Sequence, residues 1–489
     1  MLTISTFENH FEDIQNIIDS VDRLDELVSL SKSAHNEDAF IFVENSKIHK
    51  PIDWYDSQPP YLFNEYNFTS EHLLAYIFFG LNNYQKALEL LDENSAMYHD
   101  LSTAAKIQFA YEITEKEFYK IPSIHNQCIV IHYGNSTSNH NSDELKQLYY
   151  KAITNEKEIE VKAFTTKHFS NFLIDLELFA EAEKILAEAY NDQLSEEAKN
   201  TLSIQLALAQ MHQLSIPFNT KRLEEIFKRF EEGIQFYERK QLHIQAGLLL
   251  IEASEIANYQ KNFSTSKDLI NKAIVYFKEE EITEFLGEAS LRKAMLLYTW
   301  SKNGQPQYYK PAINAFQNAL KVFKRELHPA KFAEIHHYMA LIYSEIPVSP
   351  EEKPMWTAFC ASSFKEALSY FNKESYPYDY AMIAHNYATA LINFPEAKLH
   401  NNLDKAQQLF KDALAIRTSS LYPFERASTL INQIELYWLL HNETTTDENK
   451  KIAEMLNKLN EIKTLTTDEN ILDKVRFHEQ KIESLKTLL

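Results

Sequence analysis

Apolar residues recur at intervals of three and four along most of the chain, which is the spacing of one face of an α-helix. Segments 384–391 and 406–413 each carry such a face, with polar residues between the apolar ones. The pattern predicts successive pairs of amphipathic helices. Because one pair is too small to bury its own apolar stripe, neighbouring pairs are expected to stack on it.

The second half of the chain contains a repeated sequence unit. Segments Ala312–Leu320, Cys360–Leu368 and Ala406–Leu414 have small residues near their ends and a phenylalanine between them. Each is followed at fixed spacing by a proline and, four residues later, an alanine, at Pro329 and Ala333, Pro377 and Ala381, and Pro423 and Ala427. A weaker copy spans 266–287, and the copies are spaced by 46, 48 and 46 residues. This register indicates a repeat protein in which the proline begins a helix.

The same pattern, shorter and more degenerate, occurs in the first half at 74–91 and 169–190. We predict two short helices in the first 69 residues, followed by an aromatic loop at Ile52–Phe63 that either docks a partner or tucks into the core. The predicted regions are therefore 1–69 with these helices and the loop, 70–262 with degenerate repeats, 263–441 with extended repeats, and 442–489 as a polar helical cap.

Glycine is scarce: the chain of 489 residues has 6, where ordinary usage of about 7% would give about 34. The closest two glycines are 14 residues apart, which excludes Gly-rich phosphate loops, dinucleotide fingerprints and G-x-S-x-G elbows. The deficit predicts long helices with few positions at positive φ. Gly287 and Gly304 mark the least regular copies.

Charge narrows the range of partners. The chain has 49 basic and 70 acidic residues and a formal net charge of −21, which disfavours nucleic acid and acidic membranes. The N-terminus lacks the pattern of a signal peptide, and the longest apolar stretch, 73–81, is far shorter than a membrane span. Cys128 and Cys360 lie 232 residues apart and suggest a reducing compartment. We expect a cytoplasmic protein without a cofactor; the sequence indicates no oligomeric state.

At the repeated residues the chain resembles the tetratricopeptide repeat family, over 70–441 and most strongly over 263–440. The resemblance implies an all-α fold, a right-handed α-solenoid of stacked antiparallel helix pairs, whose concave groove is lined by the first helix of each pair. The extended units also resemble repeats that precede caspase-like CHAT peptidase domains in bacterial proteins. No CHAT domain follows in this sequence, so the similarity implies kinship of the scaffold and not protease activity.

The family uses its groove to hold peptides or partner proteins. Carried over by position, the groove residues would be Glu252, Glu255, Arg292, His337, His385, Asn386, Asn432 and Glu435. Asn386 and Asn432 fall where the family often has an asparagine that hydrogen-bonds a peptide backbone; alternatively, both face solvent or cap a turn. The mixed charge of the set argues against a clamp for a C-terminal carboxylate, which would need converging Lys or Arg side chains.

Other candidate chemistry is weaker. A helix would place His125, Cys128 and His132 on one face, where they could hold zinc if a fourth ligand approached, or simply form a buried helix face. Four tryptophans could be partner hot spots or inter-helix packing, and packing is favoured; they are Trp54, Trp300, Trp356 and Trp438. With 70 acidic residues, pairs of carboxylates do not single out an acid–base site.

The sequence therefore predicts a non-enzymatic scaffold or adaptor that binds a protein or peptide in a bacterial cytoplasm. One alternative is a regulatory subunit of a separately encoded effector such as a CHAT-type protease. Another is a switch in which a small peptide tightens the superhelix and releases a partner. An enzyme is the least favoured class, because helical hairpins lack the loops that usually carry catalytic groups.

Overall fold

A computed structural model describes residues 1–32, 39–138, 140–395, 401–441 and 444–486. Parts of the predicted cap, 442–443 and 487–489, lie outside these ranges. Contacts divide the chain into two units, Met1–Phe236 and Tyr237–Leu489. The described residues form 22 α-helices packed in tandem pairs, and the chain is 70% helical. The predicted all-α solenoid class is confirmed.

The first unit begins with a small sheet that the sequence reasoning missed. Its strands are β1 (Leu2–Thr6), β2 (Val28–Ser31), β3 (Ile41–Glu44), β4 (Lys47–His49) and β5 (Tyr66–Asn67), with one helix, α1 (Glu8–Asp19), after β1. The order is β2-β1-β3-β4-β5; β1 pairs in parallel with β2 and β3, and the others are antiparallel. Two short helices are predicted here; the described residues of 1–69 contain one α-helix, α1, and a single 3-10 turn at Leu24–Glu26. In β3, Ile41 and Val43 are buried, whereas Phe42 is half-buried and Glu44 is exposed. This two-residue period covers too few residues to stand out in the sequence.

Helices and two very short strands complete the first unit. They are α2 (Ser70–Gly80), α3 (Tyr84–Glu89), α4 (Ala96–Gln108), β6 (Glu112–Ile113), α5 (Glu115–Phe118), α6 (Ile124–Tyr133), β7 (Asn135–Ser136), α7 (Ser142–Asn155), α8 (Ile159–Asp175), α9 (Phe179–Ala189), α10 (Glu196–Met211) and α11 (Thr220–Arg239). The predicted segments at 74–91 and 169–190 lie in α2–α3 and α8–α9.

The aromatic loop Ile52–Phe63 is tucked into the first unit. Trp54 is buried and packs edge-on against Phe164, with ring centroids 5.2 Å apart. The Asn126 side chain of α6 bonds both backbone groups of Leu62, accepting from its N–H at 2.9 Å and donating to its carbonyl at 2.7 Å. Of the two alternatives for this loop, the structure shows the packed one.

The second unit contains the extended repeats. Its helices are α12 (His243–Tyr259), α13 (Phe263–Glu279), α14 (Thr283–Lys302), α15 (Tyr309–Val322), α16 (Pro329–Glu345), α17 (Lys353–Tyr370), α18 (Pro377–Leu391), α19 (Asn402–Ile416), α20 (Pro423–Leu439), α21 (Thr445–Leu465) and α22 (Glu469–Lys486). We call α12, α14, α16, α18 and α20 the first helices, and α13, α15, α17 and α19 the second helices. Each of α12, α14, α16 and α18 packs extensively on the second helix that follows it.

The repeated proline begins a helix in each of the three strong copies. The residues before the prolines have nearly identical backbones, with φ and ψ of −134° and 60° at His328, −135° and 60° at Tyr376, and −137° and 60° at Tyr422. The repeated phenylalanines lie in the second helices and are fully buried; they are Phe316, Phe364 and Phe410. The predicted repeat register is confirmed at the level of individual turns.

Positive φ is uncommon in the described ranges, as predicted, but most of the residues that adopt it are not glycines. Ten non-glycine residues in the described ranges have positive φ, whereas Gly304 is the glycine recorded there. Several sit in the turn that ends one helix and begins the next, including Glu177, Lys261 and Glu281 with φ of 59°, 61° and 57°. In these turns, residues other than glycine adopt the left-handed conformation. The number of glycines therefore does not indicate how many left-handed turns the chain contains.

No helix of the described residues has the length and apolar character needed to cross a bilayer. The predicted boundary at 262/263 marks a change in repeat length, whereas the contact boundary falls within α11. The repeat-based division stays a prediction.

Candidate partner-binding face

The eight predicted groove residues all lie on first helices of the second unit. Glu252 and Glu255 are on α12, Arg292 is on α14, His337 is on α16, His385 and Asn386 are on α18, and Asn432 and Glu435 are on α20. The structure brings six of them together in pairs that join one first helix to the next. We call this set of eight residues the first-helix row.

The row begins with a charged cluster between α12 and α14. Arg292 Nη1 donates to Glu255 Oε2 at 3.0 Å, and Arg292 Nε donates to Glu288 Oε1 at 3.3 Å. The neighbouring carboxylates outweigh the burial of Arg292 and raise its pKa. Burial raises the pKa of Glu252, opposed by Arg292 and reinforced by Glu255 and Glu288. Glu288 Oε2 also lies 3.4 Å from Lys331 Nζ. Three carboxylates thus face two basic groups, which leaves an excess of acidic groups at this end of the row.

A small cavity of about 160 Å³ opens beside this cluster. Its lining combines Glu255 and Arg292 with apolar and hydroxyl side chains, among them Tyr259, Met295 and Thr299. Sequence reasoning missed these three residues. Tyr259 follows Glu255 by four positions and Met295 follows Arg292 by three, so the helical period placed them on the faces already identified.

His337 and Asn386 form the next contact, between α16 and α18. Asn386 Nδ2 donates to His337 Nε2 at 3.0 Å. The His337 side chain is buried, which lowers its pKa to about 4. The imidazole is therefore neutral near pH 7 and free to accept at Nε2. Asn386 neither faces solvent freely nor caps a turn.

The equivalent contact in the following unit joins α18 to α20. Asn432 Nδ2 donates to His385 Nε2 at 3.3 Å and to Thr389 Oγ1 at 3.0 Å. Burial, with a smaller effect of Arg417, lowers the pKa of His385 to about 3. Its other ring nitrogen, Nδ1, is buried and lacks a hydrogen-bond partner among the described residues. Thr389 is a further residue of this face that the sequence reasoning missed.

The row ends at Glu435, whose carboxylate lies 3.9 Å from Lys474 Nζ of α22. Trp438, one turn further along α20, donates from Nε1 to His478 Nδ1 at 3.1 Å. Both contacts are made to the last helix and not to another first helix. Glu435 is therefore the member of the row that the structure places apart from the repeated contacts.

The three candidate zinc ligands, His125, Cys128 and His132, lie on one helix, α6, as expected from their spacing. Both ring nitrogens of His125 already have partners, Thr165 Oγ1 at 2.9 Å and the Pro60 carbonyl at 3.0 Å. Burial raises the pKa of the Cys128 thiol well above its usual value, which opposes the thiolate form that metals bind. Within the described ranges no three His, Cys, Asp or Glu side chains are placed to hold one metal ion.

No protein-family model and no curated protein sequence matches the chain. Among solved structures it is similar to yeast Tom70, with 14% identity over 86% of this chain and 82% of that chain and a TM-score of 0.40. It is also similar to a signal transduction ATPase with a tetratricopeptide repeat sensor from Pyrococcus horikoshii, with 17% identity over 84% of this chain and 55% of that chain and a TM-score of 0.46.

A third similar structure is the APC/C hetero-tetramer Cut9-Hcn1, with 12% identity over 84% of this chain and 70% of that chain and a TM-score of 0.33. These structural neighbours are tetratricopeptide repeat proteins. The likeness concerns the stacking of helices, and the partners of those proteins carry no weight here.

Proposed function

We propose that the protein is a non-enzymatic scaffold that holds a peptide or extended segment of a partner protein along the first-helix row. The observation that supports this is the repeated contact His337–Asn386 and His385–Asn432, which recurs at equivalent positions of successive units. A repeated polar contact on successive helices suits a partner that is itself repetitive, such as a peptide backbone.

The contacts leave hydrogen-bonding capacity for a ligand. Each asparagine amide has two donors and an acceptor oxygen. Asn386 uses one donor on His337, and the remaining donor and Oδ1 have no other partner among the described residues. Because the histidine holds the amide in place, a ligand would not have to order that side chain, which lowers the entropy cost of binding.

Charge favours a neutral or basic partner at the α12 end. The carboxylates of Glu252, Glu255 and Glu288 outnumber the two basic groups beside them, Arg292 and Lys331. The whole chain carries a net charge of −21. A lysine or arginine of a bound peptide would be attracted to this end, while an acidic peptide would be repelled. The charge thus affects the orientation of a bound peptide and the rate of encounter more than the affinity.

Co-purification with mass spectrometry tests the proposal. The tagged chain is expressed in its native host and compared with the Asn386→Ala/Asn432→Ala variant. The variant is expected to recover at least fivefold less partner while keeping its helical circular dichroism. Asn457→Ala/Asn460→Ala is the matched control, because both asparagines are exposed on α21 away from the row. Equal recovery by all three proteins would refute the assignment of the row.

A second candidate function, a peptide-sensing switch, is supported by the same contacts. A peptide that takes the Asn432 amide would compete with His385 and Thr389, and so would alter the contact between α18 and α20. Small-angle scattering with and without the recovered peptide should then show different dimensions. Identical curves would leave the scaffold and remove the switch.

The regulatory-subunit alternative rests on the spacing of the repeats alone. It predicts that the recovered partner is an effector enzyme, such as a CHAT-type protease, encoded beside this chain. Recovery of a partner with no catalytic domain would contradict it.

A further inference from the structure

A second groove lies on a different face of α14 from the one that carries Arg292 of the first-helix row. It runs between the second helices α13 and α15, with α14 at its base, and has a volume of about 750 Å³. This volume lies within the range of ordinary ligand pockets, about 300–1,000 Å³. Its apolar floor includes Ile274, Leu286, Leu297, Ala315 and Val322.

The two faces of α14 are separated by the helical period. Leu286, Ser290, Lys293 and Leu297 follow one another at four, three and four positions, and all line the groove. Arg292 belongs to the first-helix row, and its neighbour Lys293 is turned from it by about 100°. A partner in the groove would therefore not displace one in the row.

The rim of the groove is basic although the chain is strongly acidic. Lys278, Lys293 and Lys321 line it, and no acidic residue is among its described lining residues. Lys321 donates to Asn318 at 2.8 Å, whereas the other two ammonium groups have no ion-pair partner among the described residues. Burial and the nearby Lys267 lower the pKa of Lys293, so a carboxylate beside it would be favourable.

We propose that this groove binds an acidic amphipathic segment of a partner protein, with apolar side chains on the floor and carboxylates beside the three lysines. The mode is that of an amphipathic helix laid into an apolar groove. The charge of the rim is complementary to such a segment and opposite to that of the chain as a whole. The first-helix row favours neutral or basic partners, so the two surfaces select different chemistry.

Fluorescence polarisation with the full chain tests this proposal. The probe is a labelled peptide of about 14 residues, with leucines at intervals of three and four and glutamates elsewhere. It is expected to bind, and raising the salt concentration from about 50 mM to about 300 mM should weaken binding at least threefold. A twin peptide with lysine at every glutamate should not bind the groove. Failure of the acidic probe to bind, or equal competition by the twin, overturns the proposal.

Substitutions locate the binding. Lys278→Gln/Lys293→Gln/Lys321→Gln should weaken the probe at least fivefold, and Asn314→Glu, which adds a carboxylate to the lining at an exposed site, should do the same. A matched control removes three exposed lysines outside the groove, in the variant Lys353→Gln/Lys365→Gln/Lys411→Gln.

Equal weakening by the control would reduce the effect to net charge and overturn the proposal. Sedimentation distinguishes another occupant: self-association lost in the groove triple variant alone would assign the groove to a second copy of the chain, against the proposal. Unchanged probe binding by Asn386→Ala/Asn432→Ala is expected, since those residues belong to the first-helix row. The proposed scaffold function can thus fail while this one stands.

Discussion

Acid should destabilise the second unit through two histidines, His337, which is buried, and His385, which is half-buried. Burial lowers their pKa values to about 4 and about 3, against about 6.5 in an unfolded chain. As the pH falls below 6.5, these histidines bind protons in the unfolded chain but stay neutral in the folded protein. The free energy of unfolding therefore falls until the pH reaches the folded pKa values, and the histidines contribute no such loss above pH 6.5.

The size of the effect follows from the shifts. At about pH 4.5, two pH units below the unfolded pKa, each histidine removes about 2.5 kcal/mol relative to neutral pH. Together they remove about 5 kcal/mol, which is comparable with the whole stability of many domains, about 5–15 kcal/mol. Protonation would also break both contacts, because an imidazolium no longer accepts at Nε2 from Asn386 or Asn432.

Urea unfolding measured by circular dichroism between about pH 7.5 and about pH 4.5 tests this reasoning. The His337→Gln/His385→Gln variant has no titrating ring at either position, and its stability should fall by about 5 kcal/mol less than that of the parent chain. Carboxylates titrate in both proteins, so they cancel in the difference. His441→Gln is the control, because His441 is exposed. Equal loss in parent and double variant would refute the assignment of neutral rings at both positions.

Three further substitutions have expected outcomes in the same urea assay. Phe364→Ala removes a fully buried ring and should lower the free energy of unfolding by about 3–5 kcal/mol. The control, Phe424→Ala, removes a ring that is 53% exposed and should change stability by less than about 0.5 kcal/mol. Similar losses in both variants would contradict the assignment of Phe364 to the core of the repeats. Lys261→Gly removes the strain of a side chain at a φ of 61° and should raise the free energy of unfolding by about 0.5 kcal/mol. The control, Lys267→Gly inside α13, should lower it by about 1 kcal/mol. A loss of stability in both variants would contradict strain at Lys261. Asp100→Asn replaces a buried acceptor of two tyrosine hydroxyls and an asparagine amide and should cost about 2–3 kcal/mol; an unchanged midpoint would show that those donors find other partners.

The repeats were predictable because their signal is long and redundant. Phe316, Phe364 and Phe410 occupy equivalent buried positions, and each proline begins a helix. Several copies of one pattern average out local ambiguity. The N-terminal sheet gave no such signal, since strands such as Ile41–Glu44 are too short for their two-residue period to be distinguished from chance.

For the candidate site, the sequence predicts which helix carries each residue but not which residues of different helices contact one another. The resemblance to tetratricopeptide repeats placed Asn386 and Asn432 on first helices, but their histidine partners lie 49 and 47 residues away in sequence. Pairing at that distance depends on how successive units stack, which periodicity does not specify. The left-handed turns were missed for a related reason: Lys261 and Glu281 are held at positive φ by the helices on either side, not by their own preference.

The matching turns before Pro329, Pro377 and Pro423 would allow whole repeat units to be removed or inserted. Because the backbone enters each proline helix at the same φ and ψ to within a few degrees, removing 329–376 would join His328 to Pro377 without changing the geometry of the junction. The same property would let a copy be inserted. Gene duplication could therefore lengthen or shorten this array one unit at a time, and each added unit would extend the series of first helices by one.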